Sequence, residues 1–137
     1  MEYDIRGKNG FADVEVALDT NEQILAEPGA MVSYDPGVEM TTDTGSGGLL
    51  DSAKRSMLGG ESVFMNTFTA QQPGSVYLAP PAPGDVRARF LDNDTVYADS
   101  GSYLASEPNV DVTTEFQGAS KFFTSGDVFL LKLTGTG

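Results

Sequence analysis

The 137-residue sequence predicts an all-β protein built from two tandem copies of one unit. Three observations carry that expectation. Residues 14–42 and 86–114 align without a gap, 72 positions apart, with eight identities: Val14/Val86, Asn21/Asn93, Ala26/Ala98, Gly29/Gly101, Pro36/Pro108, Val38/Val110, Thr41/Thr113 and Thr42/Thr114. A second match, at an offset of 65, sets Val63-Phe64-Met65 against Val128-Phe129-Leu130, so the first copy carries seven extra residues in between. Apolar residues also alternate with polar ones in short runs bounded by turn residues, the pattern of strands with one buried face. Duplicated short-strand units of this kind make β-sandwich-like or short double-stranded β-helix repeats. The copies are read as residues 1–72 and 73–137. A unit of about 70 residues is near the lower size for an independent core, so the two are expected to pack closely.

The elements follow in order. Val14-Glu15-Val16-Ala17-Leu18 and Val86-Arg87-Ala88-Arg89-Phe90 alternate, and each is expected to bury one face. Asp19-Thr20-Asn21-Glu22 and Asp92-Asn93-Asp94 read as turns, after which Ile24-Leu25-Ala26 and Val96-Tyr97-Ala98 restart a strand. Corners at Pro28-Gly29 and Ser100-Gly101 place a glycine where a positive φ or a close backbone approach is expected. Strands at Met31–Tyr34 and Tyr103–Ser106 lead to proline turns at Asp35-Pro36-Gly37 and Glu107-Pro108-Asn109, which suit type II geometry. Val38–Thr42 and Val110–Thr114 alternate strictly, and each copy closes on an apolar strand, Val63–Phe68 or Val128–Leu133. A proline-rich linker brackets a strand at Ser75–Ala79. One short helix is expected in a loop, over Leu49–Leu58, where Leu49, Leu50, Ala53, Met57 and Leu58 share a face.

Composition narrows the chemistry. Twenty acidic side chains stand against eight basic ones, a net charge of −12. Such a surface disfavours nucleic acid and anionic membrane, whose phosphates need Lys and Arg to displace counterions. Acids scattered among alternating apolar residues suit a salt-rich cytoplasm, where screening suppresses self-repulsion. The absence of Cys and His removes thiolate and imidazole chemistry and the common zinc sites. No apolar run approaches the roughly 20 residues of a membrane-spanning helix, and the opening residues have no signal-peptide pattern. A halophilic, cytoplasmic protein without cofactor or metal is the expectation.

Several residues invite a site and are read more simply. Glu61 and Asp127 match after Gly60 and Gly126, but lack a third oxygen ligand and read as turn acids. Asp92-Asn93-Asp94 lacks the glycine and distal Glu of a calcium loop. Lys54 beside Gly45, Gly47, Gly48, Gly59 and Gly60 lacks the spacing of a P-loop. The two loops concentrate basic and apolar residues: Leu50, Lys54, Arg55, Met57 and Leu58 in the first, Phe116, Lys121, Phe122 and Phe123 in the second. They form either an interaction surface for a partner or membrane, or aromatic caps on the ends of a β core.

The opening Met1-Glu2-Tyr3-Asp4-Ile5, the run Ala26-Glu27-Pro28-Gly29-Ala30-Met31-Val32, and Gly59-Gly60-Glu61-Ser62 ahead of Asn66-Thr67-Phe68 resemble the altered-inheritance-of-mitochondria family of mitochondrial biogenesis. So do Leu78-Ala79-Pro80, Pro83-Gly84-Asp85 and Leu131-Lys132-Leu133-Thr134-Gly135. The resemblance implies all-β units similar to the trp RNA-binding attenuation protein, three to a chain in pseudo-threefold arrangement, with no established activity. Here two repeats stand where three are expected. Either the chain is truncated, or two repeats suffice and another subunit supplies the missing neighbour. In both cases a homo-oligomer, for which a trimer is one arrangement, is expected. RNA binding does not carry over, because the repeats match Glu22 with Asp94 and Glu39 with Asp111, and the repeated surface is acidic.

The expected function is therefore a non-enzymatic, self-associating scaffold or binding module. One alternative is a small-ligand-binding or carboxylate-dependent enzymatic barrel using Tyr34, Tyr97 or Tyr103. Another is a membrane-peripheral protein docking through loops 45–60 and 115–126.

Overall fold

A computed structural model describes residues 1–7, 10–43, 65–115 and 130–137 of the chain. All of the regular structure there is β apart from one 3-10 turn at Ser100–Ser102. The strands are β1 (Glu2–Arg6), β2 (Asp13–Leu18), β3 (Gln23–Ala26), β4 (Met31–Tyr34), β5 (Val38–Asp43), β6 (Met65–Ala70), β7 (Gly74–Leu78), β8 (Asp92–Asp99), β9 (Ala105–Ser106), β10 (Val110–Glu115) and β11 (Leu130–Thr136). They divide into two compact units: residues 1–43, 65–89 and 104–108, and residues 44–64, 90–103 and 109–137. The expected helix over Leu49–Leu58 lies outside the described residues.

The first unit is a sandwich of two four-stranded antiparallel sheets, ordered β1-β2-β7-β4 and β5-β6-β3-β9. Alternation builds its core. In β2 the residues Val14, Val16 and Leu18 point inward and are buried, while Asp13, Glu15 and Ala17 face out. Val76 and Leu78 of β7 extend that inner face, and Ile24, Ala26, Val38, Phe68 and Ala70 of the other sheet meet it. Phe68, Leu78 and Val76 are the largest fully buried side chains, and each is worth about 1.5–3 kcal/mol of apolar burial.

The second unit contains the sheet β10-β11-β8. Its pairing repeats that of β5-β6-β3. Val38 faces Ala70 and Val110 faces Gly135; Ile24 faces Phe68 and Val96 faces Leu133. Partners in β5 and β10, or in β3 and β8, are 72 residues apart, and those in β6 and β11 are 65 apart, the two offsets of the sequence match.

Several local expectations differ from the structure. Val86–Phe90 forms no strand, and Ala88 and Phe90 are exposed. Its counterpart β2 is held between β1 and β7, whereas no described strand flanks 86–90. Asp92-Asn93-Asp94 is the start of β8 rather than a turn. Asn93 keeps a positive φ of 55° beside the register shift between Gly135 and Thr136, so the turn-forming residue sits in an irregular stretch of strand. Gly37 does not take the positive φ of a type II turn; Val38 N–H donates to Asp35 C=O at 2.9 Å, and the glycine makes room for the Gln72 side chain, which a Cβ would meet at 2.3 Å.

Candidate functional site

The nine loop residues singled out from the sequence, Leu50, Lys54, Arg55, Met57, Leu58, Phe116, Lys121, Phe122 and Phe123, lie outside the described residues, as do Glu61 and Asp127. The described surface instead presents a polar cluster on the outer face of the β1-β2-β7-β4 sheet. Strand alternation assembles it. Arg6 of β1 stands opposite Asp13 of β2, Glu15 lies two residues further along, and Tyr77 of β7 stands opposite Glu15 on the other side.

Glu15 is the hub. It accepts hydrogen bonds from Arg6 Nη1 at 3.0 Å, Tyr77 Oη at 3.0 Å and Ser75 Oγ at 3.3 Å. Arg6 also donates to both carboxylate oxygens of Asp13, at 3.0 and 3.2 Å, and its guanidinium lies 5.4 Å from the centre of the Tyr77 ring. The Asp13 hydrogen bonds raise the Arg6 pKa, with Glu15 and Tyr77 adding to the effect. Every polar group in this cluster is therefore engaged with another, and the arrangement ties three strands together across their outer face. It offers no unengaged base or nucleophile. Sequence reading missed it because β1 was read only as part of a motif. The alternation Glu2-Tyr3-Asp4-Ile5-Arg6 was the signal that could have revealed the strand.

Glu27, in the turn before Pro28, is different. Burial pushes its carboxyl pKa up, and no hydrogen-bond donor to that carboxylate is present among the described residues. Its backbone N–H donates to Leu104 C=O, and Gly29 beside it has a φ of 95°, the left-handed geometry expected at that corner. Gly101, its repeat counterpart, lies in the 3-10 turn instead, where its N–H donates to Asp99 Oδ1. Of the tyrosines considered for a ligand pocket, Tyr34 packs edge-on against Phe68, Tyr97 is half exposed, and Tyr103 is buried. Tyr34 and Tyr97 thus belong to different units, as do Tyr34 and Tyr103. No group of three or more carboxylates within reach of one metal ion occurs among the described residues.

Two strand edges of the β1-β2-β7-β4 sheet have no partner among the described residues. β1 and β4 are the outer strands of their sheet, with Tyr3 61% and Val32 61% exposed. Phe11 is 80% and Phe90 71% exposed. Residues 86–90 make no strand pairing with any described residue.

One family model matches nearly the whole chain. The description "Mitochondrial biogenesis AIM24" matches residues 3–137. An uncharacterized protein of Streptococcus pyogenes serotype M6 is 28% identical over 144 residues, covering 100% of this chain and 58% of its own length. A Streptococcus pyogenes protein of known crystal structure superposes with a TM-score of 0.78 at 26% identity, over 99% of this chain and 61% of that one. The chain thus spans about three fifths of the relatives it matches. No described helix is long and apolar enough to cross a membrane.

Proposed function

The chain belongs to the mitochondrial biogenesis AIM24 family, and on that premise we propose that it is a non-enzymatic, self-associating β protein serving as a scaffold or binding module. One observation carries the reading. Residues 86–90 have the alternation of β2 but no partner strand among the described residues, and Phe90 is left 71% exposed. A strand-like segment with open hydrogen-bonding groups and exposed apolar side chains is a template for another chain. The fully engaged Glu15 cluster supports a structural role for the most organised polar group of the surface.

The net charge of −12 suits a salt-rich cytoplasm, in which screening lets acidic subunits approach one another. The test is light scattering coupled to size exclusion, in molar salt and again in dilute buffer. A single discrete species heavier than one chain is expected in molar salt. A monomer under both conditions would overturn the proposal.

A further inference from the structure

We propose that a second copy of this chain lays its β1 strand antiparallel against residues 85–89, in the register that β1 already takes on β2. This rests on the self-association proposed above and names the contact that makes it.

The register comes from the repeat. Residues 13–17 of β2 correspond to 85–89, seventy-two positions on. In the β1–β2 ladder Arg6 faces Asp13, Ile5 faces Val14, Asp4 faces Glu15, Tyr3 faces Val16 and Glu2 faces Ala17. Moved onto 85–89, the same strand sets Arg6 against Asp85, Asp4 against Arg87 and Glu2 against Arg89. On the other face it sets Ile5 against Val86 and Tyr3 against Ala88. All three charged pairs are then of opposite sign and the remaining two are apolar. Its own β2 matches β1 less well, because Asp4 there faces the like-charged Glu15.

Arg6 is already engaged with Asp13 and Glu15, and Asp85 with the Gly10 N–H, so the Asp4–Arg87 and Glu2–Arg89 pairs carry the contact. Among the described residues β2 is the only strand beside β1, and Tyr3 is 61% exposed. Arg87 and Arg89 are exposed and form no ion pair among the described residues. They are two of only eight basic side chains facing twenty acids, so two arginines this close in the chain without an ion pair among the described residues mark the segment. Charges along β1 repel most strands that might add to its edge, and a segment carrying the complementary charges escapes that repulsion.

Charge reversal tests the contact. Arg87→Glu/Arg89→Glu and, separately, Glu2→Lys/Asp4→Lys each bring like charges together at the proposed pairing, and each variant alone is expected to run as a single chain by light scattering. Carrying both pairs of reversals in one chain restores opposite charges at every contact, whatever the number of subunits, and is expected to recover the wild-type mass. Circular dichroism checks that each variant is folded. Should a reversal unfold the chain, Arg87→Gln/Arg89→Gln removes the attraction without repulsion and is expected to weaken assembly at least ten-fold. A reversed or neutralised variant that keeps the wild-type mass, or a chain with all four reversals that stays folded and fails to recover it, overturns this contact while self-association stands. A wild-type monomer removes both.

Discussion

Asn21 and Asn93, seventy-two residues apart, are the two non-glycine residues with positive φ among the described residues, at 71° and 55°. Left-handed backbone is costly for most side chains and least so for Asn, Asp and Gly. Asn21 N–H donates to Ala70 C=O at 2.7 Å, anchoring the turn to β6. Asn93 N–H donates to Thr136 Oγ1 at 3.1 Å. Asn21→Ala should therefore cost about 1–2 kcal/mol and Asn21→Gly much less, as urea unfolding at constant salt would show. The same ordering of Ala and Gly is expected at Asn93.

Phe68 and Leu133 hold corresponding places in β6 and β11, yet Phe68 is fully buried and Leu133 only half-buried. Phe68→Ala should cost about 3–5 kcal/mol, most of the stability of a small domain. Leu133→Ala should cost less, about 2–3 kcal/mol, since its side chain is only partly buried. Equal losses at the two positions, read from denaturant midpoints, would contradict the difference in packing.

Two glycines separate a side-chain obstacle from a backbone one. A Cβ at Gly37 would meet the Gln72 side chain, so Gly37→Ala should destabilise and Gly37→Ala with Gln72→Ala should recover most of the loss. At Gly135 the φ is 131° and a Cβ would lie 2.2 Å from Asn109 C=O. No side-chain truncation relieves that clash. Gly135→Ala should therefore exceed the Gly37→Ala effect in thermal unfolding and resist rescue.

The terminal amine of Met1 pairs with Glu22 Oε1 at 2.5 Å, while Asp19 N–H donates to the other carboxylate oxygen at 2.9 Å. These contacts lower the Glu22 pKa below 4.5 and raise that of the amine above 8.0. The Glu22 contribution is thus present above pH 4.5 and lost as pH falls through its folded value. The amine contributes fully below pH 8.0, and its share is lost as pH rises through its raised folded value. Unfolding curves of wild type and Glu22→Gln should converge at both ends of that range. A constant difference across pH would exclude the ion pair as its source.

Glu27 acts in the opposite sense. Its folded pKa is raised by burial, so its ionised form weakens the fold above pH 4.5 and the cost is relieved as pH falls. Glu27→Gln should stabilise the chain at neutral pH and lose that advantage in acid, which a pH series of melting temperatures would reveal.

Much of the architecture was legible in the sequence. Alternation located β2, β5 and β10 because burial of one sheet face leaves a period of two in the residues themselves. Flanking turn residues located β3 and β7, and the duplication predicted offsets that the ladders of β3, β5 and β6 share with those of β8, β10 and β11. Asn21 declared its turn through its own backbone preference. What the sequence left open depends on partners that are remote in the chain. Val86–Phe90 alternates as well as Val14–Leu18, but a strand exists only where another lies beside it, and only the first segment has β1 and β7 for neighbours. The Arg6–Glu15–Tyr77 cluster likewise joins residues up to 71 positions apart in the chain, brought within hydrogen-bonding reach by the order β1-β2-β7. Local pattern determined which residues could be strands and which face each would bury. The tertiary structure decided which of them found a neighbour, because backbone hydrogen bonds and cross-strand charges are satisfied between strands and not within one.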